Sequence, residues 1–151
     1  MWQVKNANGS IAIDGIVPGE VHTDLMRAGI LGDPYYRFND FASFLFRFVI
    51  SSYEWVGRDT WTYSRVFTVD YDLTGKATWI QCEGIDTVAE ILLDSPSVVT
   101  DSVNSVSVAH VDNQHRTYWI DVSKQVHRGQ NSIVVAFANP AAYPIICHLP
   151  V

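Results

Sequence analysis

Apolar and polar residues alternate along most of this chain in short runs, each bounded by Gly, Pro, Asn, Asp or Ser. In the clearest run, Thr62, Ser64, Val66 and Thr68 take one side of a period-2 pattern and Tyr63, Arg65, Phe67 and Val69 the other, so one face can pack while the other meets water. Runs rich in Val, Ile, Thr and aromatics predict strands at Ser10 to Ile13, Thr60 to Val69, Ala77 to Glu83, Thr87 to Leu93, Ser105 to Val111, Arg116 to Val122 and Ser132 to Ala138. Half-buried strands must cover their apolar sides, so the expected class is all-β, a two-layer sandwich.

One segment follows a different period. From Glu20 to Ala28, after Pro18-Gly19, Val21, Leu25 and Ala28 recur at helical spacing and Gly29 supplies a stop, which predicts one short helix near the N-terminus. Further on, Asp121 to Val126 reads as a helical turn that ends near Gly129, where a positive φ is available, and Asn131 opens the next apolar strand. The Ser- and Val-rich stretch Ser95 to Ser107 reads as a loose hairpin. Internal repeats and low-complexity linkers are absent from the sequence.

Composition narrows the partners. A length of 151 residues fits a single domain, and 48% hydrophobic against 17% charged residues is the balance of a chain that folds. Ten basic against sixteen acidic residues leave a net charge of −6 with no basic cluster, which argues against a nucleic-acid partner. Cys82 and Cys147 lack zinc-site spacing and are expected to be buried free thiols. No apolar stretch reaches the roughly 20 residues that span a bilayer, so the chain is expected to be soluble, without a membrane partner. The first residues, Met1 to Asn6, lack the apolar core of a signal peptide, although a removed leader stays open. Asn8-Gly9-Ser10 fits the N-glycosylation pattern, which matters only in the secretory pathway.

A series of motifs runs along most of the chain in a specific order. It begins with Val17-Pro18-Gly19 and Val21-His22, then Gly29-Ile30-Leu31 and the aromatic, polar run Asp33-Pro34-Tyr35-Tyr36-Arg37-Phe38-Asn39-Asp40. Next come Trp55-Val56, Asp59, Trp61-Thr62-Tyr63-Ser64-Arg65 with Phe67, and Glu83-Gly84-Ile85-Asp86-Thr87-Val88-Ala89. It closes with Asp112-Asn113-Gln114-His115-Arg116, Tyr118-Trp119, and Gly129 with Asn131. These residues resemble the N-terminal sugar-binding-like domain of β-mannosidases in glycoside hydrolase family 2. The resemblance implies a jelly-roll sandwich of the galactose-binding type, an accessory role in an enzyme that removes terminal β-D-mannose, and a lysosomal location. It also implies two partners: the catalytic barrel of the parent enzyme, and mannose-containing glycans.

The chain departs from that pattern in three respects. Residues 41–52 interrupt it with an unusually apolar insert, Phe41, Phe44, Leu45, Phe46, Phe48, Val49 and Ile50 around Arg47, which reads as an added core strand, an exposed patch for a partner, or translated non-coding sequence. The tail at about 140–151 does not continue the family's pattern and lacks its Trp-Asp-Trp-Gly-Pro segment. No segment corresponds to the immunoglobulin-like domains or to the barrel with its catalytic glutamates, so the chain is expected to be a single module, a truncated part of such an enzyme and silent as a catalyst; a free-standing carbohydrate-binding module and a non-catalytic interaction domain are the alternative readings.

The residues themselves agree with that expectation. Retaining glycoside hydrolysis needs two carboxyl groups about 5–5.5 Å apart, yet Glu20, Glu54, Glu83 and Glu90 are the only glutamates and none follows an Asn; each reads as solvated or hydrogen-bonded structure, and no catalytic residue is assigned. His22, His110, His115, His127 and His148 are scattered without ligand spacing, so neither metal nor cofactor is expected. Ser64 lies in a strand without a nucleophile elbow. Trp55, Trp61, Tyr63 and Trp119 offer flat faces to a pyranose, but core or inter-domain packing is the favoured reading for them. By resemblance, the run with Tyr36, Arg37, Asn39 and Asp40 braces the neighbouring barrel or rims its pocket, and Trp55 and Trp61 join it as candidate substrate or domain-interface residues.

Overall fold

A computed structural model of the protein describes residues 1–33, 53–94 and 105–139. The expectations for residues 34–52, including Tyr36, Arg37, Asn39, Asp40 and the apolar insert, and for the tail from residue 140, lie outside them. In chain order the elements are β1 (Trp2–Asn6), β2 (Ala12–Gly15), α1 (Val21–Arg27), α2 (Glu54–Arg58), β3 (Trp61–Val69), β4 (Trp79–Cys82), β5 (Ala89–Asp94), β6 (Ser105–Val111), β7 (Tyr118–Asp121) and β8 (Gly129–Phe137).

Six strands form one antiparallel sheet in the order β2-β1-β3-β8-β5-β6, and β4 pairs with β7 in a second layer. The register explains the core. Asn6, Trp61, Phe137, Ala89 and Val111 stand in one row across the large sheet, and Val4, Tyr63, Val135, Ile91 and Ala109 in the next. Because side chains alternate between faces, both rows point to the same side. There, Ile80, Cys82, Tyr118 and Ile120 from the ribbon close over Val69, Ala89, Ile91, Leu93 and Val111. At the other end Val21, Leu25 and Val56 from the two helices close over Val4, Trp61 and Tyr63. The result is the all-β, two-layer sandwich that the alternation predicts.

Two elements escape the pattern. The strand β1 holds only Trp2 and Val4 as apolar residues, and it forms because β2 and β3 hydrogen-bond to it on both sides. The turn of helix α2 adds to the single helix expected. It carries Gly57 and the β-branched Val56, both poor helix formers. Tertiary bonds hold it instead: the Trp61 indole N–H donates to the Val56 carbonyl (2.8 Å).

The turn between β7 and β8 follows its sequence closely. Gln125 and Val126 both donate to the Val122 carbonyl (3.0 Å each), making one helical turn, and Gly129 takes φ +107°. Asn131 is buried and locks the loop: its amide donates to the carbonyls of His127 (2.8 Å) and Gly129 (3.0 Å), and its oxygen accepts from the His127 N–H (3.0 Å). Asn131→Ala leaves three half-buried backbone groups without their partner and is expected to cost about 2 kcal/mol. Urea denaturation checks this: the midpoint falls while the slope stays constant.

Candidate functional site

An open cleft of about 1180 Å³ lies over the inner face of the large sheet. Ile91, Ile133, Val135 and Phe137 give it an apolar floor. One rim is the loop Val17 to His22 that enters α1; the other is the end of β4 with the loop to Val88; Val56, Gly57 and Asp59 close one end. The Val17–Pro18 and Asp86–Thr87 peptides on the two rims are both cis. The volume slightly exceeds that of ordinary small-ligand pockets, and the opening is wide.

The acidic groups around the cleft are engaged locally. Glu20 accepts from the Thr23 hydroxyl (3.0 Å), and Glu83 from the Gln81 amide (3.1 Å). Asp86 accepts from the Thr87 hydroxyl, and Gln114, with its amide nitrogen turned to the acid, donates to both Asp86 oxygens (2.9 and 2.8 Å). Asp59 accepts from the Asn6 amide (3.0 Å) and from the N–H groups of Thr60 (2.8 Å) and Ala7 (3.4 Å), tying the β1–β2 hairpin to the start of β3. Cys82, a free thiol in the wall, is pushed up in pKa by burial. An apolar floor rimmed by already bonded carboxylates suits docking better than proton transfer.

Behind one rim sits a charged group that the sequence motifs do not mark. Asp24 on α1 is fully buried and accepts from the Tyr63 hydroxyl (2.9 Å), the Ile16 N–H (3.1 Å) and the Arg27 guanidinium (2.7 Å). Burial first, then the bond to Asp24 and its negative charge, push the Tyr63 phenol well above its ordinary pKa, so it stays a donor. The helix pattern did hold the signal: positions 21, 24, 25 and 28 share one face, and Asp24 is the polar member of an apolar stripe. Gly15 completes the packing, since a Cβ there would stand 2.4 Å from a Val4 methyl and 3.2 Å from the Tyr63 ring.

Of the aromatic and glycosylation candidates, Trp61 is 5% exposed, and Trp55 is half-buried against it with ring centroids 6.1 Å apart. Both belong to the corner that carries α2. Asn8 stands exposed at the tip of the β1–β2 hairpin, where its oxygen accepts from the Ser10 N–H (2.9 Å).

Comparison with known proteins places this geometry. Residues 2–145 match the model of the glycosyl hydrolase 2 galactose-binding domain-like family. The chain belongs to that family. Among related proteins, the β-mannosidase of Mus musculus is 34% identical over 143 residues and that of Bos taurus 36% identical over 146 residues; each match covers 94% of this chain and 14% of the relative. The crystal structure of β-D-mannosidase from Dictyoglomus thermophilum superposes with a TM-score of 0.74 at 26% identity, over 95% of this chain and 16% of that one. The chain thus spans about a seventh of the length of these curated relatives, larger enzymes in which this galactose-binding-like domain sits beside a catalytic part. In this chain Trp55, Val56, Asp59, Trp61 and Tyr63 all brace this end of the sandwich.

Proposed function

We propose that this chain is a non-catalytic accessory domain of a β-mannosidase-like glycoside hydrolase, working with a catalytic barrel that removes terminal β-D-mannose from oligosaccharides. One observation carries the reading: the β-mannosidase matches run across 94% of this chain yet take up 14% of the relatives. The local engagement of Glu20, Glu83, Asp59 and Asp86 supports it, because a general acid needs a proton to move and a substrate atom within reach.

In this reading the wide apolar cleft receives a segment of the neighbouring domain, with Trp55 and Trp61 fixing the corner beneath it. The run with Tyr36, Arg37, Asn39 and Asp40 braces the barrel or rims its pocket. By its likeness to β-mannosidases the parent enzyme is read as lysosomal, and Asn8, exposed on its hairpin, is the residue that would be glycosylated there. The purified 151-residue chain is expected to give no turnover of a chromogenic β-mannoside above the buffer rate. A rate that scales with protein concentration and survives repurification overturns the accessory reading.

A further inference from the structure

The outer face of the β4–β7 ribbon carries two tryptophans that the cleft does not use. Its outward positions are Trp79, Gln81, Trp119 and Asp121, while Ile80 and Ile120 point into the core. Trp79 pairs with Asp121 and Gln81 with Trp119, so the two tryptophans stand on one diagonal, about 7–8 Å apart at the backbone, with the two polar residues on the other. Trp79 is 52% and Trp119 62% exposed, and among the described residues neither indole makes a ring contact or a hydrogen bond.

The polar members are held in place. Asp121 accepts from the Ser123 hydroxyl (2.6 Å) and N–H (3.0 Å), and those donors keep its carboxyl below the usual range. The Ser123 hydroxyl oxygen also accepts from the Thr78 N–H (2.9 Å), which ties the acid to both strands at one end of the ribbon. Gln81 donates through its amide nitrogen to Glu83 (3.1 Å). An acid held as Asp121 is loses little entropy on meeting a ligand.

We propose that this face binds a neutral, β-linked hexopyranose oligosaccharide, with successive sugar rings laid on Trp79 and Trp119 and their hydroxyls bonded to Gln81 and Asp121. An equatorially linked sugar chain is extended and presents the C–H faces of successive rings, which matches two indoles on one diagonal. Size favours this occupant over a protein. Two tryptophans offer roughly 300–500 Å² even when wholly covered, and about half of each is already covered here, which suits one or two sugar rings; a stable protein interface takes about 800 Å² from each side and would have to reach well beyond the pair. Charge separates it from an anionic sugar, because Asp121 and Glu83 flank the rings and the chain carries −6 overall; Lys124 offsets only part of the local field. The choice of mannose among such sugars rests on the accessory-domain reading, while the platform itself does not.

The test is a fluorescence and calorimetric titration of the 151-residue chain with a β-linked manno-oligosaccharide, a cello-oligosaccharide and an α-linked malto-oligosaccharide. Saturable quenching by the β-linked sugars is expected, with a Kd on the order of 1 mM. Trp79→Ala and Trp119→Ala are each expected to weaken binding about three- to tenfold while melting within about 2 °C of the parent, and Trp119→Tyr should restore most of the loss. Saturation by the cello-oligosaccharide alone upholds the platform and overturns the choice of mannose. Absence of saturation by any β-linked sugar, equal binding of the malto-oligosaccharide, or binding that survives both alanine substitutions together overturns the proposal.

Discussion

Trp61→Ala is expected to lower the melting temperature of this domain by about 6–20 °C, the equivalent of about 3–5 kcal/mol. The indole is 5% exposed, lies against Trp55, Val56 and Phe137, and donates its one polar hydrogen to the Val56 carbonyl. Truncation therefore removes packing, opens a cavity at the corner and leaves a carbonyl without its donor. Trp61→Phe separates these effects, keeping most of the packing while losing the bond, and is expected to cost about 1–2 kcal/mol. Thermal melts followed by circular dichroism check both. A Trp61→Ala protein that melts with the parent would mean that the ring is no part of the core and would return it to the surface.

Asp24→Ala is expected to cost about 3 kcal/mol, or some 6–12 °C, mostly through the groups it abandons. The Tyr63 hydroxyl and the Ile16 N–H lose their acceptor at a buried site; the Arg27 pair contributes less, because that side chain is 47% exposed and screened by water. Tyr63→Phe removes the partner from the other side, and the double substitution is expected to cost less than the sum of the singles, since the two act as one unit. The pH dependence has a definite sign. The folded Tyr63 phenol titrates above its unfolded value of about 10, so its contribution is complete below that pH and is lost as the pH rises beyond it. The parent is accordingly expected to lose stability on the alkaline side above pH ~10, with Tyr63→Phe losing less over the same range. Equilibrium unfolding at a series of alkaline pH values reads this directly, and a parallel decline in both proteins refutes it.

The strand class was plain in the residues because period-2 alternation is a local property. β3 occupies Trp61–Val69 within the expected Thr60 to Val69, and β6 its expected span. Shorter runs came out trimmed: Ala77 to Glu83 pairs only over Trp79–Cys82, because β7 offers four partners, Tyr118–Asp121. The helix α1 was legible from its apolar spacing, but the purpose of its one polar inward residue was not. Asp24 gains its meaning from Tyr63, 39 residues away, and from the Ile16 amide. The candidate site followed the same division. For Trp55 and Trp61 the residue types favour packing over saccharide stacking, but the turn of helix α2 that carries Trp55 onto Trp61 is not legible in them. Trp79 carried no signal beyond its place in a strand; its pairing with Asp121, beside the Trp119–Gln81 pair, is what sets two indoles on one outward diagonal.

Local chemistry was enough to specify a β-rich domain, its one amphipathic helix, the turn ending at Gly129, and, through the order of the motifs, its kinship with β-mannosidases. Those features depend on neighbours a few residues apart, where alternation, φ preference and capping act. The layer to which each strand belongs, the buried Asp24–Tyr63 pair, the short helix held by an indole, and the division of the tryptophans between core and surface depend on contacts made across tens of residues. Such contacts are set by which surfaces exclude water together when the whole chain closes, and no window along the sequence contains both partners.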